Sequence, residues 1–182
     1  MKVCSGLQLT LAILKPDLMT NPVRLQNVKE RILKEKFWII RWKILQWQRK
    51  DAELFYQEHR GKFFFQRLTS FMSSGPIMAM ILAREDAISH WRDVMGPTKT
   101  TKAKLSHPYS IRGMHGLTDT RNATHGSDSV ENAEKETTFF FPDFSSTHWM
   151  RNHGDDFKNG NVVFDEELEI HNLLIPAKSV KK

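Results

Sequence analysis

Arg121-Asn122-Ala123-Thr124-His125-Gly126-Ser127-Asp128-Ser129-Val130-Glu131 is the stretch on which the reading of this chain turns. A histidine precedes a glycine, two serines and an aspartate. Val130, Ala133, Thr137, Phe140 and Phe141 then recur at helical spacing and predict a helix with one mostly apolar face. Asp128 or Ser129 fits its N-cap, and Asp128-x-x-Glu131 reads as a capping box. His125 is therefore expected in a loop just ahead of a capped helix. Gly126 would let the backbone approach a ligand closely. Ser127 and Glu136 are placed to orient an imidazole or accept its proton. Taken alone, the same residues also describe a surface histidine in a polar loop, since short motifs match by chance.

Outward from this block, composition sets the bounds. A chain of 182 residues suits one domain plus a tail and can bury a real core. Its formal charge of +6 favours anions, among them nucleotides, nucleic acid and acidic lipid. The single cysteine, Cys4, excludes an internal disulfide, and a reducing intracellular compartment is expected. No apolar run approaches a membrane span, and residues 1–6 are too few for an obvious signal or transit peptide. No Gly-x-x-x-x-Gly-Lys-Ser/Thr loop and no protein-kinase motif set occurs. His148 and His153 lack a second ligand pair, so a zinc site is not expected.

The elements follow in order. Gln8 to Leu14 alternates as a strand with one buried face and stops at Lys15-Pro16-Asp17. Asn21 to Lys36 reads as a helix and Phe37 to Trp47 as a strand whose tryptophans pack. Asp51 to His59, capped by Asp51, and Lys62 to Ser73 read as two short helices. Ile77 to Leu82 reads as a central strand, followed by a helix from Asp86 to about Val94. Lys99 to His107 is polar and basic. A short strand near Asp119 and the helix after Ser129 complete an α+β pattern of the βαββαβ, ferredoxin-like kind. Past Phe141-Pro142-Asp143-Phe144 the pattern is lost. Val162 to Leu168 and Leu173 to Ile175 are expected to hold weak local structure, and Val180 to Lys182 to fray.

Several residue types point to phosphate chemistry. A lysine at a strand end presents a point charge, and arginines such as Arg92 and Arg112 pair with phosphate oxygens. For any one of them taken alone, a solvated surface role is the commoner reading. Five anchors occur in order: Lys15-Pro16-Asp17, Ser74-Gly75-Pro76, Met95-Gly96-Pro97-Thr98, Ile111-Arg112-Gly113 and Asn122-x-x-His125-Gly-Ser127-Asp-Ser129. Together, from about Leu9 to Phe141, the chain resembles the nucleoside diphosphate kinase family. The Gly116-to-Asn122 variant and the long segment before Arg112 look like its divergent type 6 branch.

The resemblance implies the ferredoxin-like α+β fold with an antiparallel sheet. It implies a short extension over residues 1–7, a kinase-like domain over 8–145 and a divergent tail over 146–182. It implies ping-pong transfer of the γ-phosphate of ATP or another nucleoside triphosphate to a diphosphate, through a phosphohistidine at His125. Glu136 would orient the imidazole with help from Ser127, and Tyr56 would lie beside it. Lys15, Arg92, Thr98 and Arg112 would contact phosphates, Asn122 the sugar or phosphate edge, and Phe64 would stack on the base. The cofactor is Mg2+ held by nucleotide phosphates, with no protein ligand. The type 6 likeness implies a mitochondrial setting, with the cytoplasm as the alternative.

Three departures shape the expectations. Asp119 stands where familiar members place an apolar residue against the base, so a half-clamped nucleotide is expected, tightened by Asp119→Val. The segment Lys99 to Ser110 is longer than usual, and the tail differs. These leave open a second reading: a weak enzyme or nucleotide-binding pseudoenzyme acting through a protein partner, or through a homo-oligomer, by way of that loop and tail. Nucleic acid is not expected as the main ligand, for no recognisable module is present.

Overall fold

The computed structural model describes residues 6–174. The expectations at Cys4, Ile175 and Val180 to Lys182 lie outside the described residues. Strand β1 (Leu7–Leu14) runs into a short helix α1 (Pro16–Met19), then α2 (Pro22–Lys34) and β2 (Trp38–Leu45). Helix α3 (Arg49–Phe55), a 3₁₀ turn (Gln57–His59) and α4 (Phe65–Met72) precede β3 (Ile77–Glu85) and α5 (Ala87–Met95). Two further helices, α6 (Thr100–Ser106) and α7 (Ile111–His115), lead to β4 (Thr124–Gly126) and α8 (Val130–Phe140). The chain then forms α9 (Ser146–Lys158) and a hairpin of β5 (Val162–Asp165) and β6 (Ile170–Leu173).

The main sheet has the order β2-β3-β1-β4 and is antiparallel throughout. This is the expected βαββαβ topology. The expected one-sided burial of β1 is not observed: Leu11, Ala12, Ile13 and Leu14 are all fully buried. The reason is that both sheet faces are covered. Ala12, Leu14, Met78, Met80 and Leu82 pack against Val28 and Ile32 of α2 and Trp91 and Val94 of α5. Leu11, Ile13, Ile77, Ala79 and Ile81 pack against Ala52, Leu68, Met72 and Phe140 on the other side. Each Leu, Ile, Val, Met or Phe side chain among them contributes roughly 1.5–3 kcal/mol of burial free energy.

Of the two caps expected for α8, Ser129 is the one used: it accepts the Asn132 N–H, while the Asp128 carboxylate accepts from the Asn132 side chain instead of closing a capping box with Glu131. Val130 is exposed rather than part of the apolar face. Helix α3 is capped by Gln48, and Asp51 occupies its third position, closing a capping box from inside. Asp86 precedes α5 in a left-handed conformation, and its side chain makes no cap bond.

The segment Lys99 to His107, read as polar chain, contains a helix, and the strand expected near Asp119 lies at Thr124–Gly126. His125 is therefore on a strand, paired with Ile13 of β1. The tail is also more ordered than its composition suggests. Ser145 caps α9 through the His148 N–H, and Trp149 and Phe157 pack with Leu7 and Ala83. The hairpin lies along β2, the sheet edge: the Ile39 N–H donates to Nδ1 of His171 at 2.9 Å, and Trp42 Nε1 donates to the Leu168 carbonyl at 2.9 Å. Trp38 meets Phe157 edge to face. Trp38 and Trp42 thus pack, but under the tail. No helix among the described residues is long and apolar enough to cross a membrane.

Candidate active site

One cavity, of about 560 Å³, opens between the α3–α4 segment, the C-terminal end of β1, α5 and the loop before β4. Lys15, Tyr56, Phe64, Arg92, Thr98, Arg112, Asn122, His125 and Glu136 all line it. Residues up to 121 positions apart in sequence (Lys15 to Glu136) therefore meet in one place, as expected. Ser127 stands behind Glu136, outside the lining.

His125 is held from one side. Its Nε2 lies 3.0 Å from Oε1 of Glu136, on α8. The other carboxylate oxygen accepts from Ser127 Oγ at 2.5 Å, and that hydroxyl accepts from the Leu11 N–H at 3.3 Å. A carboxylate only accepts, so Nε2 carries the proton. This leaves Nδ1 with its lone pair, and it has no hydrogen bond among the described residues. Phe55 and Tyr56 pack edge-on to the ring at 5.5 and 6.0 Å. The Tyr56 hydroxyl is buried without a partner among the described residues. Burial, and then the charge of Glu136, push its ionisation well above the ordinary range, so it stays a neutral donor.

Gly126 lines the cavity, and it also meets a second constraint that the sequence did not announce. A Cβ there would sit 2.3 Å from Cδ1 and 2.6 Å from Nε1 of Trp91. The close approach is to a core tryptophan, whose Nε1 donates to the His125 carbonyl at 3.3 Å. The histidine backbone is thereby fixed from beneath.

The floor of the cavity is cationic. Lys15 is 5% exposed, and its Nζ donates to Oδ1 of Asn122 at 2.6 Å. Burial, with Arg112 adding repulsion and Asp17 opposing, brings its pKa down to about 7. Arg112 donates to the carbonyls of Gly96 at 2.8 Å and Thr124 at 3.0 Å, and to Thr98 Oγ1 at 3.3 Å. Its Nε is buried without a partner. Burial, then the charge of Arg92, lower its pKa to about 10. Asn122 anchors the loop by donating to the carbonyls of Thr98 and Asp119. Two buried cations with depressed pKa values and an unpartnered guanidinium nitrogen describe a site built for a polyanion. Among the described residues no cluster of three or more His, Cys, Asp or Glu could hold a metal ion.

The mouth is aromatic. Phe64 is half-buried against His59, with ring centroids 5.4 Å apart, and Phe63 beside it is 92% exposed. Opposite lies Asp119, whose Oδ1 accepts the Thr100 N–H at 3.0 Å at the start of α6. Thr100 Oγ1 returns a bond to the Thr118 carbonyl. Asp119 thus lines the cavity mouth while fastening the loop to α6, a structural part that the sequence reading did not give it.

Sequence reasoning missed the part played by Asp17 and Ala123. Thr124 N–H donates to the Asn122 carbonyl at 2.8 Å, closing a three-residue turn around Ala123, whose φ is +69°. This positive-φ γ-turn is rare and strained, at a cost on the order of 1–3 kcal/mol. Lys15 N–H donates to the Ala123 carbonyl, and Asp17 Oδ2 accepts its N–H. Asp17 was visible in Lys15-Pro16-Asp17, but nothing local linked it to a residue 106 positions away.

A cavity with a cationic floor, an aromatic mouth and a carboxylate-held histidine fits a nucleotide. Comparison with known proteins agrees: the family model described as nucleoside diphosphate kinase matches residues 8–145. The chain belongs to the nucleoside diphosphate kinase family. Within it, the chain falls in the type 6 branch. It is 54% identical over 173 residues to nucleoside diphosphate kinase 6 of Danio rerio, covering 95% of this chain and 98% of that one. It is 50% identical over 166 residues to the Homo sapiens protein of that name, covering 91% and 89%. The crystal structure of the Aquifex aeolicus nucleoside diphosphate kinase superposes with a TM-score of 0.72 at 39% identity, covering 78% of this chain and 98% of that chain. The latter likeness places the kinase fold; α9 and the hairpin lie past the family-matched residues.

Proposed function

We propose that this protein is an active nucleoside diphosphate kinase that works through a phosphohistidine on Nδ1 of His125. The observation that carries this is the Glu136–Nε2 bond, which leaves Nδ1 free beside three cations in one cavity. Neutral imidazole is a competent nucleophile near neutral pH. The Nδ1 lone pair forms a bond to the γ-phosphorus, and the bond to the β,γ-bridging oxygen breaks. The nucleoside diphosphate leaves with that electron pair. The ring's developing positive charge is shared through Nε2–H with Glu136. A terminal oxygen of an acceptor diphosphate then forms the new P–O bond as the P–N bond breaks. Lys15, Arg92 and Arg112 stabilise charge on the phosphoryl oxygens through a loose transition state. Thr98 and Asn122 hold the phosphate and sugar edges, and Phe64 stacks on the base.

Magnesium enters as part of the nucleotide substrate, since the cavity floor offers cations rather than a carboxylate cage. The mitochondrial setting rests on the type 6 likeness, and fractionation of cells with an antibody to this chain tests it.

Incubation with γ-labelled ATP and magnesium should label His125 in an acid-labile form, and the label should pass to a diphosphate. Retention of label in His125→Ala refutes the assigned nucleophile. Absence of label in the native chain favours a second reading, nucleotide binding in the service of a partner. One observation speaks for that reading: α6 and the segment after it expose Leu105 at 87% and Tyr109 at 79%.

A further inference from the structure

The γ-turn at Ala123 separates Asn122, which holds Lys15, from Thr124 and His125 on β4. Ala123 is 1% exposed, and both its peptide groups are bonded to one short turn, Lys15 to Asp17. Lys15 supplies a backbone donor, which any residue at that place would offer. Asp17 supplies a side chain. Only one of its oxygens is used: Oδ2 accepts the Ala123 N–H at 3.0 Å, while Oδ1 is buried with no partner. Burial pushes the carboxyl pKa above its ordinary value, against the Ala123 amide, the charge of Lys15 and the nearby Asp17 and Leu18 amides. Burying a carboxylate with one oxygen unpartnered among the described residues is costly, so its use here points to what the Ala123 amide holds in place. The loop it pins carries the Asn122 amide, 2.6 Å from Nζ of Lys15, and leads two residues on to His125.

We propose that Asp17 is a positioning residue of the nucleotide pocket, whose carboxylate holds the strained turn at Ala123 and through it sets Asn122 and His125. The proposal rests on the nucleotide reading of the cavity. Asp17 lines no part of that cavity; apart from the attraction of its charge for Lys15, it acts through the loop. Without the carboxylate, the Ala123 peptide relaxes toward negative φ. The Asn122 amide then turns from Lys15, and β4 loses its fixed entry. Glycine tolerates positive φ without strain, so a glycine at position 123 keeps the turn without the clamp.

The test uses Asp17→Ala, Asp17→Asn and the double variant Asp17→Ala/Ala123→Gly in the full chain. ADP affinity by calorimetry, the rate of His125 labelling, and hydrogen exchange at Asn122 and Thr124, whose amides do not bond Asp17, are measured. Asp17→Ala should lose about tenfold or more in affinity and labelling rate and speed exchange at both amides. Asp17→Asn, which keeps an acceptor, should stay within about threefold of native. The double variant should recover most of the affinity and slow the exchange again. Native affinity and exchange in Asp17→Ala, or no recovery in the double variant, would overturn the proposal. If native protein neither binds ADP nor takes label, the kinase reading fails, and the exchange measurements alone decide the clamp.

Discussion

Binding of ADP should be coupled to uptake of a proton by Lys15. In the empty pocket, burial and Arg112 bring this lysine to a pKa of about 7. A polyphosphate beside it supplies the missing counter-charge and returns it toward the ordinary value of 10.5. The sign follows: the bound-state pKa is the higher one, so binding is strongest below pH 7 and weakens as pH rises toward the bound-state value. At pH 8 the empty-state lysine is roughly nine-tenths neutral, so binding takes up about 0.9 proton per site. Between pH 7 and pH 9 affinity should fall by roughly 50-fold, or about 2.3 kcal/mol. The terminal phosphate, with a pKa of about 6, is already about nine-tenths ionised at pH 7 and changes little across this range. Calorimetry at pH 8 in two buffers of different ionisation enthalpy reads the proton count directly. Lys15→Met should bring it close to zero. Uptake near zero in the native chain would refute the account of a half-neutral lysine waiting for an anion.

Folding of the empty protein carries the same linkage with opposite sense. The folded-state pKa of Lys15 lies below the unfolded one, so apo stability should climb from about pH 7 toward 10, and thermal melts of Lys15→Met should show a flatter climb. Gly126→Ala places a methyl 2.3 Å from Trp91 and should cost about 3 kcal/mol, at the high end for overpacking, read as a fall in the urea midpoint; an unchanged midpoint would show that Trp91 yields easily. Asp119→Val removes the acceptor for the Thr100 N–H and should cost about 1 kcal/mol of stability, with ADP affinity no better than native. Tighter ADP binding in that variant would restore the view of Asp119 as a misplaced base contact.

The sheet and its helices were legible because β1, β3 and α2 carry dense apolar patterns, with a clear stop for β1 at Pro16 and a clear start for α2 at Pro22. The site residues were legible through the ordered motifs. What escaped was set by partners far along the chain. Asp119 reads as an intruder until its bond to Thr100 is seen. Gly126 reads as a ligand-approach glycine, and its second constraint, Trp91 beneath it, shows only in the fold. Helix α6 has too few apolar residues to announce itself, and its stability comes from Ala103 and Thr100, both buried against the fold. The tail misled for a similar reason. Trp149, Gly154 and Phe157 make a buried helical face among many polar neighbours, and its docking partners, Leu7 and Ala83, come from early in the chain.

The hairpin that lies along β2 has a consequence for how the protein is made. A bare sheet edge is a template for pairing with other chains, and β2 is complete more than 100 residues before His171, the side chain that occupies its Ile39 amide. During synthesis at about 5–20 residues per second, the nascent edge stays uncovered for several seconds or more. The remaining sheet can assemble in that interval, whereas the guard arrives only once His171 has been made. Interruption of synthesis before the hairpin, or proteolytic loss of it, would therefore release a chain that is sticky at one defined strand.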